Sequence, residues 1–436
     1  MKETAVKSNV SRYDSYKDSG VEWLGEIPEH WELKRFKHIF KEKKITHNVE
    51  LNCGSISFGK VVYKDDEKIP ESTKKSYQVL NKGEFLINPL NLNYDLKSLR
   101  IGLSDKDVVV SSGYIIVQNS TEISKDYYKW LLHIFDVAFM KTLGSGVRQT
   151  LSFTHIANSE LVFPPLQEQT AIAQFLDDKT SKIDEAIAIK EQQIQLLKER
   201  KQILIHKAVT QGLNPNVKLK NSGVEWIGEI PEGWEVKRLK YILNEKLKYG
   251  ANESGIEYHI NLPRYVRITD FGFDGKLSED SKLSLSWKNG GDYLLKDGDI
   301  LFARSGATVG KTYQFKKSMS IEKDYCFAGY LIKAEANEEI ILSDFLYLFT
   351  NSELFNKWKN SIFIKATIEN IGADKYSQLS VIVPPIEEQK EILSKYESDN
   401  KKIETAVSLK QQEIAKLKEY KSSLINGVVT GKVRVC

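Results

Sequence analysis

Pro164–Gly212 reads PPLQEQTAIAQFLDDKTSKIDEAIAIKEQQIQLLKERKQILIHKAVTQG, and its pattern returns without a gap from Pro384 to Lys432, shifted by 220. Proline suits the first turn of a helix. The Gln-Glu-Gln or Glu-Glu-Gln that comes next puts acid near the helix's positive end, so each copy predicts a long helix starting there. One register fits both copies: Leu176, Thr180, Ile183, Ile187, Lys190, Ile194, Leu197, Lys201, Leu204 and Ala208 in the first, then Tyr396, Asn400, Ile403, Val407, Lys410, Ile414, Leu417, Lys421, Leu424 and Val428 in the second. Alternating steps of three and four make a coiled-coil seam. Its polar interruptions fall at the same three places in both copies. An inward lysine costs stability but penalises other registers and partners, so the simplest partner for each helix is the other. At 1.5 Å per residue each helix would be about 65 Å long. An antiparallel pair would carry the flanking segments at opposite ends, and a parallel pair would crowd them at one. Antiparallel is the better reading, although charge pattern alone does not decide it.

Outward from the helices, a second stretch is also written twice. Ser19–Lys37 (SGVEWLGEIPEHWELKRFK) returns as Ser222–Lys240 (SGVEWIGEIPEGWEVKRLK), identical at 15 of 19 positions. Its paired tryptophans, Trp23/Trp31 and Trp226/Trp234, surround a Gly-Glu-Ile-Pro turn and predict a short ordered segment packed on the domain C-terminal to it. The order is therefore lead segment, variable block, long helix, and the same again. The implied divisions are 1–163 (lead segment and first variable block), 164–211 (first helix), 212–383 (linker, second lead segment and second variable block) and 384–436 (second helix and tail).

Between the repeats, residues 38–163 and 241–383 align only patchily. Gly83–Asn88, Val108–Gln118, Gly298–Arg304 and Tyr325–Lys333 have the apolar, β-branched and aromatic character of strands bounded by turns. Asp126–Leu143 and Ser343–Lys359 have helical spacing. Shared anchors (Gly83-Glu84 with Gly298-Asp299, Gly113-Tyr114 with Gly329-Tyr330, Thr150 with Thr367) suggest one mixed α and β fold with different loops. The fold class expected is α+β: two mixed α/β domains separated by two long antiparallel helices forming a coiled coil, in a pseudo-two-fold internal repeat.

The 436 residues, 41% of them hydrophobic, suffice for more than one core. Neither a membrane-length apolar run nor a charged-then-apolar leader is evident, which reads as a cytoplasmic chain. Cys53, Cys326 and Cys436 are odd in number and far apart, suiting a reducing cytosol rather than a disulfide frame. Scattered histidines without HExxH or CxxC predict no metal site, and no cofactor is expected. Net charge is +4 overall, +3 over residues 37–163 and 0 over 240–383. That is not the blanket positive charge of a non-specific nucleic-acid coat, so any DNA-binding cations must be gathered on one face of each block.

Two motifs invite enzymatic readings and fail them. Gly306-Ala-Thr-Val-Gly310-Lys311-Thr312 resembles a phosphate-binding loop, but three residues separate its glycines where four are required to wrap a phosphate with backbone amides. A strand-connecting turn presenting Arg304, Thr308 and Lys311 fits better. Asp65-Asp66-Glu67-Lys68 reads as a solvated loop rather than a nuclease centre. An Asn/Asp/Ser-Pro-Pro-aromatic methyltransferase tetrapeptide is absent too, because the paired prolines come after Phe163 and Val383.

The paired SGVEWxGEIPExWE segments, the paired PP[LI]xEQ helix starts, and the SGATVGKT and GSGVRQTL stretches resemble the specificity subunits of type I restriction–modification systems, over nearly the whole chain. The resemblance implies a non-catalytic DNA-binding subunit with two target-recognition domains, each reading half of a bipartite asymmetric site, held by a helical spacer. It further implies docking onto two methyltransferase (modification) subunits, which methylate adenine, and through them onto motor-nuclease (restriction) subunits, in defence against foreign DNA. The seam residues Ile183, Ile187, Ile194, Leu197, Leu204, Ile403, Val407, Ile414, Leu417 and Leu424 would build the coil and docking frame. Arg fits guanine and Asn or Gln fits adenine through paired hydrogen bonds. Candidate DNA contacts are therefore Asn88, Asn91, Asn93, Lys97, Ser145, Arg148 and Gln149 in the first block. In the second they are Arg264, Arg267, Arg304, Thr308, Lys311, Lys365 and Thr367. Gly144, Gly146 and Gly306 would let backbone approach the duplex. For any one residue an ordinary surface role competes equally, and the set carries the reading. The rival from another class is a protein-interaction scaffold with two different heads and no DNA.

Overall fold

The computed structural model describes residues 11–90, 99–140, 150–272, 275–306, 309–363 and 370–435. The chain divides into two compact units, residues 1–190 with 411–436, and residues 191–410. The repeated helices form at Leu166–Thr210 and Ile386–Val429, each begun by its Pro-Pro. The first unit holds the start of one and the end of the other, and the second unit holds the remaining halves.

Within each unit the two helices run antiparallel. In the first, Asp184 pairs with Lys421 at 2.6 Å and Lys190 with Glu413 at 2.6 Å, so numbers rise on one helix as they fall on the other. In the second, Lys201 pairs with Glu404 at 3.1 Å. Lys201 and Lys421 hold the same place in the two repeats, as do Asp184 and Glu404, so this ion pair is one contact made twice. The seam lysines expected to be inward faults are only partly covered, and the ammonium groups of Lys190, Lys201 and Lys421 reach acids on the facing helix. Ile183, Ile187, Ile403, Ile414 and Leu424 are buried, while Ile194, Leu197, Leu204, Val407 and Leu417 are half-buried.

The lead segment fastens each block to its helix. Tyr16–Asp18 pairs with Glu26–Pro28, and Leu219–Asn221 with Glu229–Pro231, both antiparallel. The next strand, Glu32–Arg35, lies antiparallel to Glu160–Phe163, the last strand before the prolines, and Glu235–Arg238 lies likewise on Ser380–Val383. Each block thus leaves and re-enters the frame at one point. Trp31 and Trp234 are almost fully buried. Their indole N–H groups donate to Glu168 (3.0 Å) and Glu388 (2.8 Å) in the first turn of the helix. At the other edge of each indole stands a glycine that ends a long helix with positive φ, Gly431 (+77°) or Gly212 (+69°). A Cβ on either would lie 2.9 Å from the ring. The C-terminal tail closes the first unit, with Arg434 N–H donating to the Ser11 carbonyl at 2.9 Å and the Tyr16 hydroxyl to that of Gly431.

The other repeated polar residue is the Gln of the helix start. Gln169 and Gln389 are fully buried. Gln389 accepts from Leu342 N–H (2.8 Å) and donates to the Ile340 and Pro384 carbonyls. Gln169 does the same work with Ser124 N–H and the Pro164 carbonyl.

The blocks share a four-stranded antiparallel sheet. In the first its order is Phe40–Glu42, Ile115–Asn119, Phe85–Ile87, Ile101–Leu103. In the second it is Lys248–Tyr249, Leu331–Ala334, Ile300–Ala303, Thr312–Gln314. Ile300 and Phe302 face a core with Phe345, Phe349 and Tyr376, while Leu301 and Ala303 face one with Val266, Phe271 and Phe327. Burial on both faces explains why these strands read as unbroken apolar runs. The glycines Gly83 (+84°) and Gly298 (+88°) turn into the paired strand, and the acids after them, Glu84 and Asp299, are buried in both blocks.

Several expected elements are cut shorter. Val108–Gln118 is two strands in different sheets, Val108–Val110 and Ile115–Asn119, because Ser111 and Tyr114 close a hydrogen-bonded turn between them. Tyr325–Lys333 divides in the same way, at Ala328–Leu331. The helix expected over Asp126–Leu143 is Lys125–Phe135, capped by Ser124 and widening over Asp136–Met140, with its expected end outside the described residues. Ser343–Lys359 is two helices, Ser343–Thr350 and Glu353–Phe363, broken where the buried Ser352 hydroxyl bonds the Phe349 carbonyl. Among the described residues, no helix is long and apolar enough to cross a membrane.

Replacing Gln389 by Leu keeps the volume but strands one buried N–H and two carbonyls. Urea denaturation should show the second unit weakened by about 2–4 kcal/mol, while Gln378→Leu, at an exposed site, leaves it unchanged.

Candidate nucleic-acid interface

The two middle strands of the shared sheets end at Ile87 and Ala303, and the chain leaves them through Asn88-Pro89-Leu90 and Arg304-Ser305-Gly306. Each exit is tied to a segment some sixty residues further on. Leu90 bridges Thr150 and Ser305 bridges Asn370, both antiparallel. Leu151 N–H donates to the Pro89 carbonyl (3.0 Å) and Ile371 N–H to that of Arg304 (2.9 Å). The position matching Thr150 is therefore Asn370 rather than Thr367, which itself lies outside the described residues. Leu90 and Thr150 in the first block, and Ser305 and Asn370 in the second, are thus roped together at one end of the same sheet.

Arg304 is half-buried, its guanidinium 5.1 Å from the centre of the Tyr249 ring. The Tyr249 hydroxyl accepts from Ala373 N–H at 2.9 Å, so this cation–π pair is anchored to the helix start at Ala373–Ser377. Gly306–Lys311 is the expected strand-connecting turn. Val309 N–H bonds the Gly306 carbonyl, Gly310 N–H that of Ala303, and a strand, not a helix, comes next at Thr312–Gln314. Gly306 (+83°) and Gly310 (+77°) supply its positive φ values. The Lys311 ammonium donates to the Phe271 carbonyl.

Arg264 departs from the expected set. It is 2% exposed. Its guanidinium bonds Glu279 at 2.8 Å, the Ser278 carbonyl and Glu322, inside the domain. Arg267 is partly exposed and held by Asp270 (2.9 Å) and the Ser281 carbonyl (2.8 Å), a braced guanidinium beside the same core. Asn88 is half-buried, with its side-chain oxygen accepting from Leu90 N–H. Asn91, Asn93, Lys97, Ser145, Arg148, Gln149, Thr308, Lys365 and Thr367 lie outside the described residues, as do Gly144 and Gly146. Asp66 is not merely solvated: it accepts from Cys53 N–H (2.7 Å) and from Lys74 (2.8 Å), which holds its carboxyl below the usual range.

Sequence reasoning passed over Arg100. Its Nε donates to Asp136 at 2.8 Å and its backbone N–H to the same carboxylate at 2.6 Å. The two outer guanidinium nitrogens are buried without a hydrogen-bond partner. Asn88 N–H bonds the Arg100 carbonyl, so this braced arginine stands at the foot of the first block's exit loop. Nothing in the sequence links Arg100 to an acid 36 positions away. Among the described residues, no cluster of His, Cys, Asp and Glu is grouped to hold a metal ion.

A family model described as "Type I restriction modification DNA specificity domain" matches residues 28–199 and again 231–419. The specificity subunit of the type I restriction enzyme MjaVIII of Methanocaldococcus jannaschii is 25% identical over 423 residues, covering 94% of each chain. That of StySPI from Salmonella potsdam is 27% identical over 239 residues, 54% of this chain and 49% of its own. A solved chain described under complex assembly and conformational transition of the type I R-M system superposes with a TM-score of 0.68. It is 14% identical and the match covers 92% of this chain and 98% of that one, a likeness of fold.

Arg264→Ala removes the guanidinium from a buried ionic cluster and leaves Glu322 held by Lys282 and Tyr325 alone, so it should destabilise the second unit by about 2–4 kcal/mol in urea melts. Burial works against the charge of Glu322, but bonds from Tyr325 and Lys282 and the nearby Arg264 outweigh it, bringing its pKa from 4.5 to about 2. A depressed folded-state value means its contribution is whole above pH 4.5 and drains away as pH falls toward 2. Melting temperature measured over that window should fall less steeply in Glu322→Gln than in the wild type.

Proposed function

The chain belongs to the family of type I restriction–modification specificity subunits, and from that premise we propose that it reads DNA for a type I complex without catalysing any step itself. Residues 38–163 read one half of a bipartite site and residues 241–383 read the other. The long helices set the gap of unread base pairs. With the lead segments they also present two alike docking surfaces to two modification subunits, which methylate adenine, and motor-nuclease subunits join through these.

The observation that carries this reading is the contrast between frame and loops. The Trp-to-Glu bond, the stapling Gln, the helix-ending Gly and the sheet order are made twice. The chain that leaves the matching sheet ends, Asn88-Pro89-Leu90 against Arg304-Ser305-Gly306, shares no residue. Two equal mounts with unequal tips suit a partner that is the same twice and a target that is different twice. A duplex repeats its groove positions about every 34 Å, so two readers at fixed spacing can each take one half-site.

In this assignment Arg304, Arg267, Thr308, Lys311, Lys365 and Thr367 serve the second half-site, and Asn88, Asn91, Asn93, Lys97, Ser145, Arg148 and Gln149 the first. Arg264 is left out, since its guanidinium is enclosed. Stacking on Tyr249 limits the rotamers of Arg304 and so lowers the ordering cost of a bidentate contact with guanine. Contacts to many phosphates should make affinity fall steeply and log-linearly with salt.

Mapping modified adenines in DNA exposed to the chain assembled with its modification subunits should return two unlike half-sites at a constant separation. Arg304→Ala should relax discrimination by about 1–3 kcal/mol in the second half-site and leave the first intact. Modification without a preferred sequence, or an unchanged pattern in Arg304→Ala, contradicts the assignment.

A further inference from the structure

The first block carries a hairpin with no counterpart in the frame, Gly54–Ser57 against Lys60–Tyr63, closed by the two-residue turn Phe58-Gly59. Both turn residues have positive φ, +46° and +74°. A turn of this hand normally takes Asn or Asp and then Gly, because a bulky side chain is strained there. Among the described residues Phe58 gains little burial in exchange. Its ring is 75% exposed, more than the other large apolar side chains described.

The tip is nevertheless fixed in place. A Cβ on Gly59 would stand 3.1 Å from Leu99 Cβ, and one on Gly102 would stand 2.7 Å from the Gly59 carbonyl oxygen, so backbone and strand meet at glycine distance. The Lys106 ammonium also bonds the Val61 carbonyl at 3.2 Å. Leu99 ends the segment that holds Asn91, Asn93 and Lys97, and Arg100 comes directly after it. The hairpin tip is thus held against Leu99 and Gly102. From Leu51 to Lys64 there are two lysines, Lys60 and Lys64, and no acid. A two-stranded ribbon fits a DNA groove, and an aromatic residue at its tip can stack on a base or pry a step apart.

We propose that Phe58 is a DNA wedge, stacking on a base at the edge of the first half-site, its strained turn kept for that contact. This rests on residues 38–163 reading DNA. The test uses the full chain assembled with its modification subunits, on a duplex bearing the mapped site and on the same duplex scrambled, with 2-aminopurine at positions flanking the first half-site. Phe58→Asn suits the positive φ and should melt a few degrees higher than the wild type. Its affinity for the site should drop about 5- to 150-fold, while Phe58→Tyr stays within about threefold. Wild type should brighten 2-aminopurine next to the first half-site only, and Phe58→Asn should not. If the wild type prefers the site but Phe58→Asn binds it equally, the wedge is wrong and the reader stands. If Phe58→Asn fails instead to join its modification subunits, the ring is a protein contact and the wedge is likewise wrong. If the wild type does not separate site from scramble, the reading of the block falls and the wedge falls with it.

Discussion

Each half of this protein depends on an indole N–H placed against a carboxylate in the first turn of a long helix. Trp31 donates to Glu168 and Trp234 to Glu388, each indole almost fully buried and each carboxylate partly covered. A partly covered carboxylate gives up some of its hydration. Burial works against the charge of Glu168, yet Trp31, His30 and Tyr13 together hold its carboxyl below the ordinary glutamate value. The same indole also meets the glycine that ends a long helix, so one side chain joins a helix end, a helix start and the strand that opens the block. In the first unit the helix that ends there is the second one, in the second unit the first.

That joint separates two tasks that would otherwise interfere. Each block enters and leaves beside one antiparallel strand pair, and its helix-start Gln is bonded only to backbone. Side chains in the loops can change without disturbing these contacts. The second block uses the freedom to add a sheet with a parallel pair, Arg264–Val266 on Tyr325–Phe327, and an ionic cluster around Arg264. The first adds the Phe58 hairpin instead. Where the lead segment is the same twice, substitutions are confined to apolar exchanges and to His30, whose counterpart is Gly233.

The repeats made the frame legible. An identical seam in two helices implied that they pack on each other, and the facing pairs Asp184–Lys421 and Lys201–Glu404 obey that symmetry. Both helix starts were readable from their prolines, because proline acts through its own covalent geometry. The blocks were less legible because their contacts are long-range. Val108–Gln118 looks continuous until a turn at Ser111 divides it between two sheets. Arg264 and Arg304 look alike in sequence, but Glu279 and Glu322 enclose one while Tyr249 leaves the other half open. Thr150 was matched to Thr367 by residue type, whereas the backbone matches it to Asn370. Arg100 and Asp136 meet only because a strand and a helix cross.

The central claim is that the frame is indifferent to which block it carries, and that each block reads its own half-site. Exchanging residues 38–163 for a second copy of 241–383, and mapping modified adenines with the assembled complex, tests it most directly. Two equal readers on a pseudo-two-fold frame should modify a palindromic site made of the second half-site and its inverted copy. A complex that assembles yet still modifies the original asymmetric site, or shows no sequence preference, would contradict it.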